Sequence, residues 1–197
     1  MSAPEPAAAA NGPAGVELRA CELDAVELTA LRGQTRELVT LARQRGAELP
    51  AMGRVAIASH RLTLRVRPDR WLLLTPPAAP GATAGEWHAA VAGLGVVTDL
   101  SSSLTALHLM GVATREVLVR GCRLDLDPNV FQHAHAAATM MAQVNVILMR
   151  LGAGMLLLTP ATTGQHFSEW LISAGRPFGL VPRESVSFPE LCEERLR

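Results

Sequence analysis

Only a few side chains here are of types that could carry chemistry, and their spacing limits what they can do. His133 and His135 form an HxH pair. On a strand both rings would fall on one face and could give a metal ion two ligands, but a metal site needs a third and usually a fourth. The nearest acids in sequence are Asp125 and Asp127, and nothing in the spacing brings them to the histidines. A polar loop after Pro128 is therefore the expectation, not a metal centre. Asp99 precedes Ser101–Ser103, as a turn or cap requires. Asp125 and Asp127 alternate with Leu124 and Leu126, which reads as a strand edge facing water. General acid–base work needs a pocket and a shifted pKa, and the sequence displays neither.

The remaining candidates read as structural. His108 lies between Leu107 and Leu109 and is expected on the opposite, half-exposed face of its strand. His60 falls in a turn. Cys122 follows the helix-ending Gly121, and a helix C-terminus is the wrong end to stabilise a thiolate, so a buried small residue is expected. Trp71, Trp87 and Trp170 fall on apolar faces and read as core. No GxGxxG, Walker, GxSxG or HExxH pattern occurs. All 18 basic residues are arginines, so no Schiff-base lysine and no phosphate-loop lysine exist. The three cysteines, Cys21, Cys122 and Cys192, are widely spaced with no CxxC, which argues against a disulfide framework and a zinc site and fits a reducing, cytoplasmic compartment. No catalytic, cofactor-binding or metal-binding residue is assigned in this chain.

The elements that would position these residues are legible in outline. Residues 1–15, rich in Ala, Pro and Gly, form an N-terminal arm that cannot bury apolar surface and is expected to be disordered, with residues 1–14 dispensable. Val26, Leu28 and Ala30 alternate with polar neighbours as in a half-buried strand. Residues 35–45 have helical spacing, closed by Gly46. Within 53–77, two strands flank a short connection at 59–61, a turn covers 68–70, and 71–74 is a short apolar strand. Residues 83–94 read as a helix started by a Thr83/Glu86 capping box. Strands are expected at 96–100 and 105–110, a short helix at 114–120, one long strand over 139–151, a hairpin turn at 152–154 and a return strand at 155–159. Phe167, Trp170, Leu171 and Ala174 mark an amphipathic helix, with Thr162 and Gln165 as its capping box and Gly175 and Pro177 as its end. A strand–turn–strand–helix unit thus appears twice, at 62–94 and 139–175. Hairpins separated by single helices give an α+β fold of largely antiparallel sheets with helices packed on them, one domain over 16–179. Residues 180–197 are spaced too irregularly for a helix and are expected as an extended tail, either lying across another subunit with Phe188 as anchor or folded back on its own domain.

Composition restricts the partners. The chain is 49% hydrophobic with a formal net charge of zero, so it is globular and lacks the basic excess that drives nucleic-acid binding. No apolar run approaches the roughly 20 residues that cross a bilayer, and the N-terminus lacks a secretory pattern, so no membrane is expected as partner. Charged residues make up only 18%, and no lysine blunts strand edges, which points to a chain that lives inside a complex.

Three segments add a resemblance. RPDRWLLLTPP at 67–77, TDLSSSLTALHLMGVATREVLVRGCRLDLDPNVF at 98–131 and MMAQVNVILMRLGAGMLLLTPATTGQHFSEWLISAG at 140–175 resemble the gamma subunits of heterotetrameric sarcosine oxidases. The likeness spans about residues 16–180. It is most specific at Asp69, Arg70 and Trp71 and at Gly121, Cys122, Leu124, Asp125 and Leu126. It implies a fold similar to the folate-binding domain of the aminomethyltransferases. It also implies a structural, non-catalytic role beside alpha, beta and delta subunits. Those subunits carry FAD, covalent FMN, NAD, a folate-binding domain and zinc, in a complex that oxidises sarcosine to glycine, produces hydrogen peroxide and passes the one-carbon unit to tetrahydrofolate. The acidic residue near the aminomethyltransferase folate pocket has no match here, so folate binding is not carried over. Two alternatives stay open: the corresponding subunit of a related N-methyl amino acid dehydrogenase such as N-methylglutamate dehydrogenase, and a free-standing folate-dependent one-carbon protein.

Overall fold

The structure, a computed structural model, describes residues 15–58 and 60–193; the expected arm, apart from Gly15, lies outside them. Eleven strands and five helices alternate along the described chain. They are β1 (Val16–Cys21), β2 (Asp24–Ala30), α1 (Thr35–Gln44), β3 (Val55–Ala58), β4 (Arg61–Arg67), β5 (Arg70–Thr75), α2 (Ala82–Ala90) and β6 (Gly95–Asp99). A 3-10 turn at Ser101–Ser103 leads to β7 (Leu104–Met110), α3 (Thr114–Leu118), β8 (Ala136–Met141), β9 (Val144–Leu151), β10 (Gly154–Pro160), α4 (Ala161–Gly175), β11 (Leu180–Pro182) and α5 (Phe188–Glu193).

The strands form two sheets, ordered β3-β4-β5-β2-β6 and β11-β1-β7-β10-β9-β8. Every pairing is antiparallel except β1 with β11. Strand alternation sorts the side chains into three apolar layers. Ala25, Leu62, Leu64, Leu72 and Leu74 of the first sheet meet Ala106, Met149, Leu156 and Leu158 of the second. On its outer face the first sheet packs Val26, Leu28, Trp71 and Leu73 against Leu38 and Ala42 of α1 and Trp87 of α2. The second sheet packs Leu107, Leu109, Leu148 and Leu157 against Val117 and Leu118 of α3 and Phe167 and Leu171 of α4. Both sheets are therefore covered on both faces. That is why β5 and β10 read as unbroken apolar runs rather than alternating ones.

The expected duplication is confirmed and proves longer than the sequence suggested. The order β2-α1-β3-β4-β5-α2-β6 repeats as β7-α3-β8-β9-β10-α4-β11. The equivalent strands β5 and β10 carry the same LLLTP, at 72–76 and 156–160. One difference breaks the symmetry: β1 inserts between β7 and β11, so the first strand of the chain completes the second sheet.

Several expectations need correction. The long strand over 139–151 is a hairpin, β8 and β9, reversed at Ala142 and Gln143, both at positive φ (50° and 66°). Such a turn normally selects Asn or Gly, so the sequence carried no signal for it. Neither expected capping box forms. Thr83 donates instead to Asp24 Oδ2 at 2.9 Å, and Gln165 donates to Glu169 at 2.9 Å. The capping box that does form is Ser187 with Glu190, where Ser187 N and Oγ both donate to Glu190 Oε2, at 3.0 and 2.8 Å. It starts α5 in the tail that was expected to be irregular. Of the two courses expected for that tail, the structure shows the fold-back onto its own domain and not the arm across another subunit. Its backbone follows β1, with Arg183 N donating to Leu18 O and Val186 N to Ala20 O, each at 2.9 Å. Val186, Phe188 and Leu191 are all buried in the layer between the sheets.

Phe188 is therefore an anchor within its own domain. Phe188→Ala should lower unfolding free energy by about 3 kcal/mol, the usual cost of emptying a buried aromatic site. Glu190→Ala, which removes only the cap, should cost less. Urea titration of both variants measures this; an unchanged midpoint for Phe188→Ala would refute the docked tail.

Candidate functional site

One concavity lies where the two sheets part. It is a cleft of ≈ 500 Å³ bounded by β2, the end of β4, the start of β7 and β8, β9 and β10. A second space of ≈ 280 Å³ adjoins it and shares Val66, Ala138 and Ile147. Strand alternation puts Glu27 here, because Ala25 two residues earlier already faces the other sheet. Glu27 Oε1 is held by Arg70 Nη1 at 3.3 Å. Arg67, Thr139 and Asn145 complete the polar lining, and Val66, Leu104, Ile147 and Leu158 form apolar walls. The cleft thus holds one carboxylate already in an ion pair, one guanidinium, one hydroxyl and one amide. It contains no thiol, imidazole or paired carboxylates, so it offers no nucleophile–base pair and no metal ligand set. Among the described residues no group of three or more His, Cys, Asp or Glu is placed to hold a metal ion.

The residues singled out from the sequence are scattered and held elsewhere. His133 accepts a hydrogen bond at Nδ1 from Gly152 N, at 2.9 Å. His135 meets the Phe131 ring edge-on, with centroids 5.8 Å apart. Asp99 caps the 3-10 turn through Ser101, whose N and Oγ donate to it at 3.0 and 2.7 Å; those bonds lower its pKa. Asp125 and Asp127 are not on a strand edge. Asp127 N donates to Asp125 Oδ1 and Asn129 N to Asp127 Oδ1, both at 2.9 Å, making two successive Asx turns in a loop. Their Leu/Asp alternation imitates a strand, but the side chains compete for the backbone donors a ladder would need. Cys21 and Cys122 are buried; burial pushes the Cys122 thiol up and the Cys21 thiol up to about 12.

His108 departs furthest from expectation. It was expected half exposed and is 1% exposed, in the layer between the sheets. It lies in register with Arg19 of β1 and Leu156 of β10. Gly154 leaves room for it, since a Cβ there would run into His108 Nε2. The reason is the double cover: a strand with polar residues on one face is half exposed only if that face meets water, and this one meets another sheet.

The residues that carry the resemblance have structural work. Gly121 packs under Trp170, whose ring atoms would lie 2.5 Å from a Cβ at that position. Trp170 in turn stacks on Phe167, and Cys122 bridges to Met141. Leu126 is buried. Asp69 turns the β4–β5 hairpin at φ 58° and accepts a hydrogen bond from Thr35 Oγ1 at 2.9 Å. Trp71 is buried, donates to Pro50 O at 3.0 Å and lies under the Arg65 guanidinium.

Burial, with the Arg19 charge as a smaller cause, pulls the His108 pKa from 6.5 down to about 4. The folded state holds the ring neutral while the unfolded chain protonates near 6.5. Stability is therefore full above pH 6.5 and declines as pH falls toward 4, by up to ~3 kcal/mol. His108→Leu should flatten that slope. Denaturant unfolding between pH 7 and 4 checks it, and an equal slope in both proteins would refute it.

Comparison with known proteins adds identity of lineage to this geometry. Residues 37–175 match the model of the sarcosine oxidase, gamma subunit family. The sarcosine oxidase subunit gamma of an Arthrobacter species is 36% identical over 142 residues, covering 70% of this chain and 69% of that relative. That of Corynebacterium sp. strain U-96 is 35% identical over 156 residues, covering 77% and 74%. Among solved structures, the heterotetrameric sarcosine oxidase from Corynebacterium sp. U-96, in complex with pyrrole 2-carboxylate, matches with TM-score 0.77 and 31% identity, covering 86% of this chain and 88% of that one. Aminomethyltransferase T of the Bartonella henselae glycine cleavage system matches with TM-score 0.64 at 15% identity, over 87% of this chain and 48% of that one, a likeness of fold alone.

Proposed function

Because this chain belongs to the sarcosine oxidase gamma subunit family, we propose that it serves as the non-catalytic structural subunit of a heterotetrameric sarcosine oxidase. The observation that carries the non-catalytic reading is the use to which the family-typical residues are put. Gly121, Cys122, Leu126, Asp69 and Trp71 close turns and fill the core, while the cleft between the sheets holds no reactive pair. The role fits a scaffold, and the flavins FAD and FMN, NAD, tetrahydrofolate and zinc are assigned to the alpha, beta and delta partners. The complex would oxidise sarcosine to glycine, release hydrogen peroxide and pass the one-carbon unit to tetrahydrofolate. Nothing in the cleft of this chain selects sarcosine over another N-methyl amino acid, so the substrate is set by the flavin-bearing partner. No helix among the described residues is long and apolar enough to cross a membrane.

Co-expression with the other subunits tests this. The chain should purify in equimolar amount with them, and the assembly should show flavin absorbance and sarcosine-dependent peroxide production, with neither property in the isolated chain. Tight, stoichiometric tetrahydrofolate binding by the isolated chain would overturn the structural reading in favour of a free-standing one-carbon protein.

A further inference from the structure

One charge in the cleft is brought there against the local pattern. On β4, Leu62 and Leu64 point into the layer between the sheets, while Thr63 and Arg65 take the other face, bonded to Glu48 O and lying over the Trp71 ring. Simple alternation would send Arg67 to that other face as well. A register shift between Arg65 and Arg67 reverses this, as irregularities of this kind do when they re-aim a side chain. Arg67 then pairs directly with Arg70 and lines the cleft. Two guanidinium groups opposite one another repel. Glu27 answers only Arg70, at 3.3 Å. Asp69 of the same hairpin turns away, to Thr35 Oγ1 at 2.9 Å and Arg65 at 3.8 Å. Arg67 is exposed and makes no ion pair or side-chain hydrogen bond among the described residues. This side of the cleft therefore carries one positive charge in excess.

The second sheet supplies the opposite wall. Asn145 alternates with Ile147 and Met149 on β9, and Met149 lies in the layer between the sheets, so Asn145 faces the first sheet. Its backbone carbonyl accepts from Thr159 Oγ1 at 3.2 Å, and its side-chain amide makes no hydrogen bond among the described residues. Leu104, Ile147 and Leu158 form apolar wall beside it. Elsewhere the chain fills its own inter-sheet layer: Val186, Phe188 and Leu191 of the tail pack beyond Cys21. Here a space of ≈ 500 Å³ stays open, within the roughly 300–1,000 Å³ of small-molecule sites.

We propose that the cleft binds a small organic monocarboxylate with an apolar body, its carboxylate on the Arg67 guanidinium and the Asn145 amide and its hydrocarbon part against Leu104, Ile147 and Leu158. A guanidinium presents paired N–H donors that match the two oxygens of a carboxylate, and the amide adds a further donor. A bare inorganic anion would leave the apolar walls wet, whereas a hydrocarbon body removes them from water. A cationic ligand would meet the excess positive charge, since Glu27 is already engaged by Arg70. With no nucleophile–base pair beside it, the ligand is held and not transformed. The proposal goes beyond the subunit reading and does not depend on it, because every group it uses belongs to this chain.

Calorimetric titration of the full chain with hexanoate, hexylamine, acetate and inorganic phosphate gives the test. Hexanoate should bind one to one, about 10-fold or more tighter than each of the other three. Arg67→Ala should weaken hexanoate about 10-fold, and Asn145→Ala by less, with thermal midpoints unchanged because both side chains are exposed and hold nothing in the fold. Arg36→Ala, on the exposed face of α1, should leave binding as it is. Phosphate or acetate binding as tightly as hexanoate would mean an adventitious ion only, and hexylamine doing so would mean an unselective apolar surface. Either result overturns the proposal, as do absent hexanoate binding and unchanged affinity in Arg67→Ala. The same titration on the co-expressed assembly should reproduce the affinity of the isolated chain. If binding is lost there, another subunit occupies the cleft, so the proposal fails and the subunit reading stands. If no assembly forms, the subunit reading fails and the isolated chain still decides the cleft.

Discussion

The leucine layer between the two sheets is the constraint from which the rest of this molecule follows. Ala25, Leu62, Leu64, Leu72 and Leu74 on one side and Ala106, Met149, Leu156 and Leu158 on the other exclude water from the middle of the fold. Once the sheets are joined face to face, their outer faces must also be covered, and α1, α2, α3 and α4 do this. Polar side chains on strands then have few places to go. They reach a strand end, as Glu27 does beside Arg70, or they are buried neutral, as His108 is. The same constraint brings the tail home. Val186, Phe188 and Leu191 cover the part of the inter-sheet layer beyond Cys21, where β1 ends.

This architecture explains why a family likeness can be strong at residues that act by packing. A glycine beneath a tryptophan ring, a positive-φ aspartate in a hairpin and a cysteine bridging to the next hairpin are positions where few alternatives fit. Gly121, Asp69 and Cys122 are of that kind. They identify the fold as surely as catalytic residues identify an enzyme, but they act by packing. The aminomethyltransferase likeness fits this view, since a shared scaffold does not transfer a shared site.

Much of the secondary structure was legible because it rests on local period and punctuation. The β4–β5 hairpin, the turn at Gly152 and the Phe167–Ala174 stripe follow from alternation, turn residues and 3.6-residue spacing. The errors have physical causes. Ala142 and Gln143 occupy a left-handed turn without the residues that normally advertise one, so a hairpin looked like a single strand. Thr83 and Thr162 had capping-box spacing, but Asp24 captured the first hydroxyl, and α4 begins directly after Pro160. The true box at Ser187 and Glu190 was passed over because prolines surround it, although Pro189 in the first turn is compatible with a helix start.

The sequence alone determined the α+β class, the duplication and the family, because these depend on residue types, periodicity and motif identity. The tertiary structure decided which strands share a sheet, that β1 belongs with the second repeat, that His108 is buried and that Phe188 turns inward. These depend on which face meets which across more than a hundred residues, and a strand of alternating or uniform hydrophobicity looks the same in sequence whether its far face meets water, a helix or another sheet.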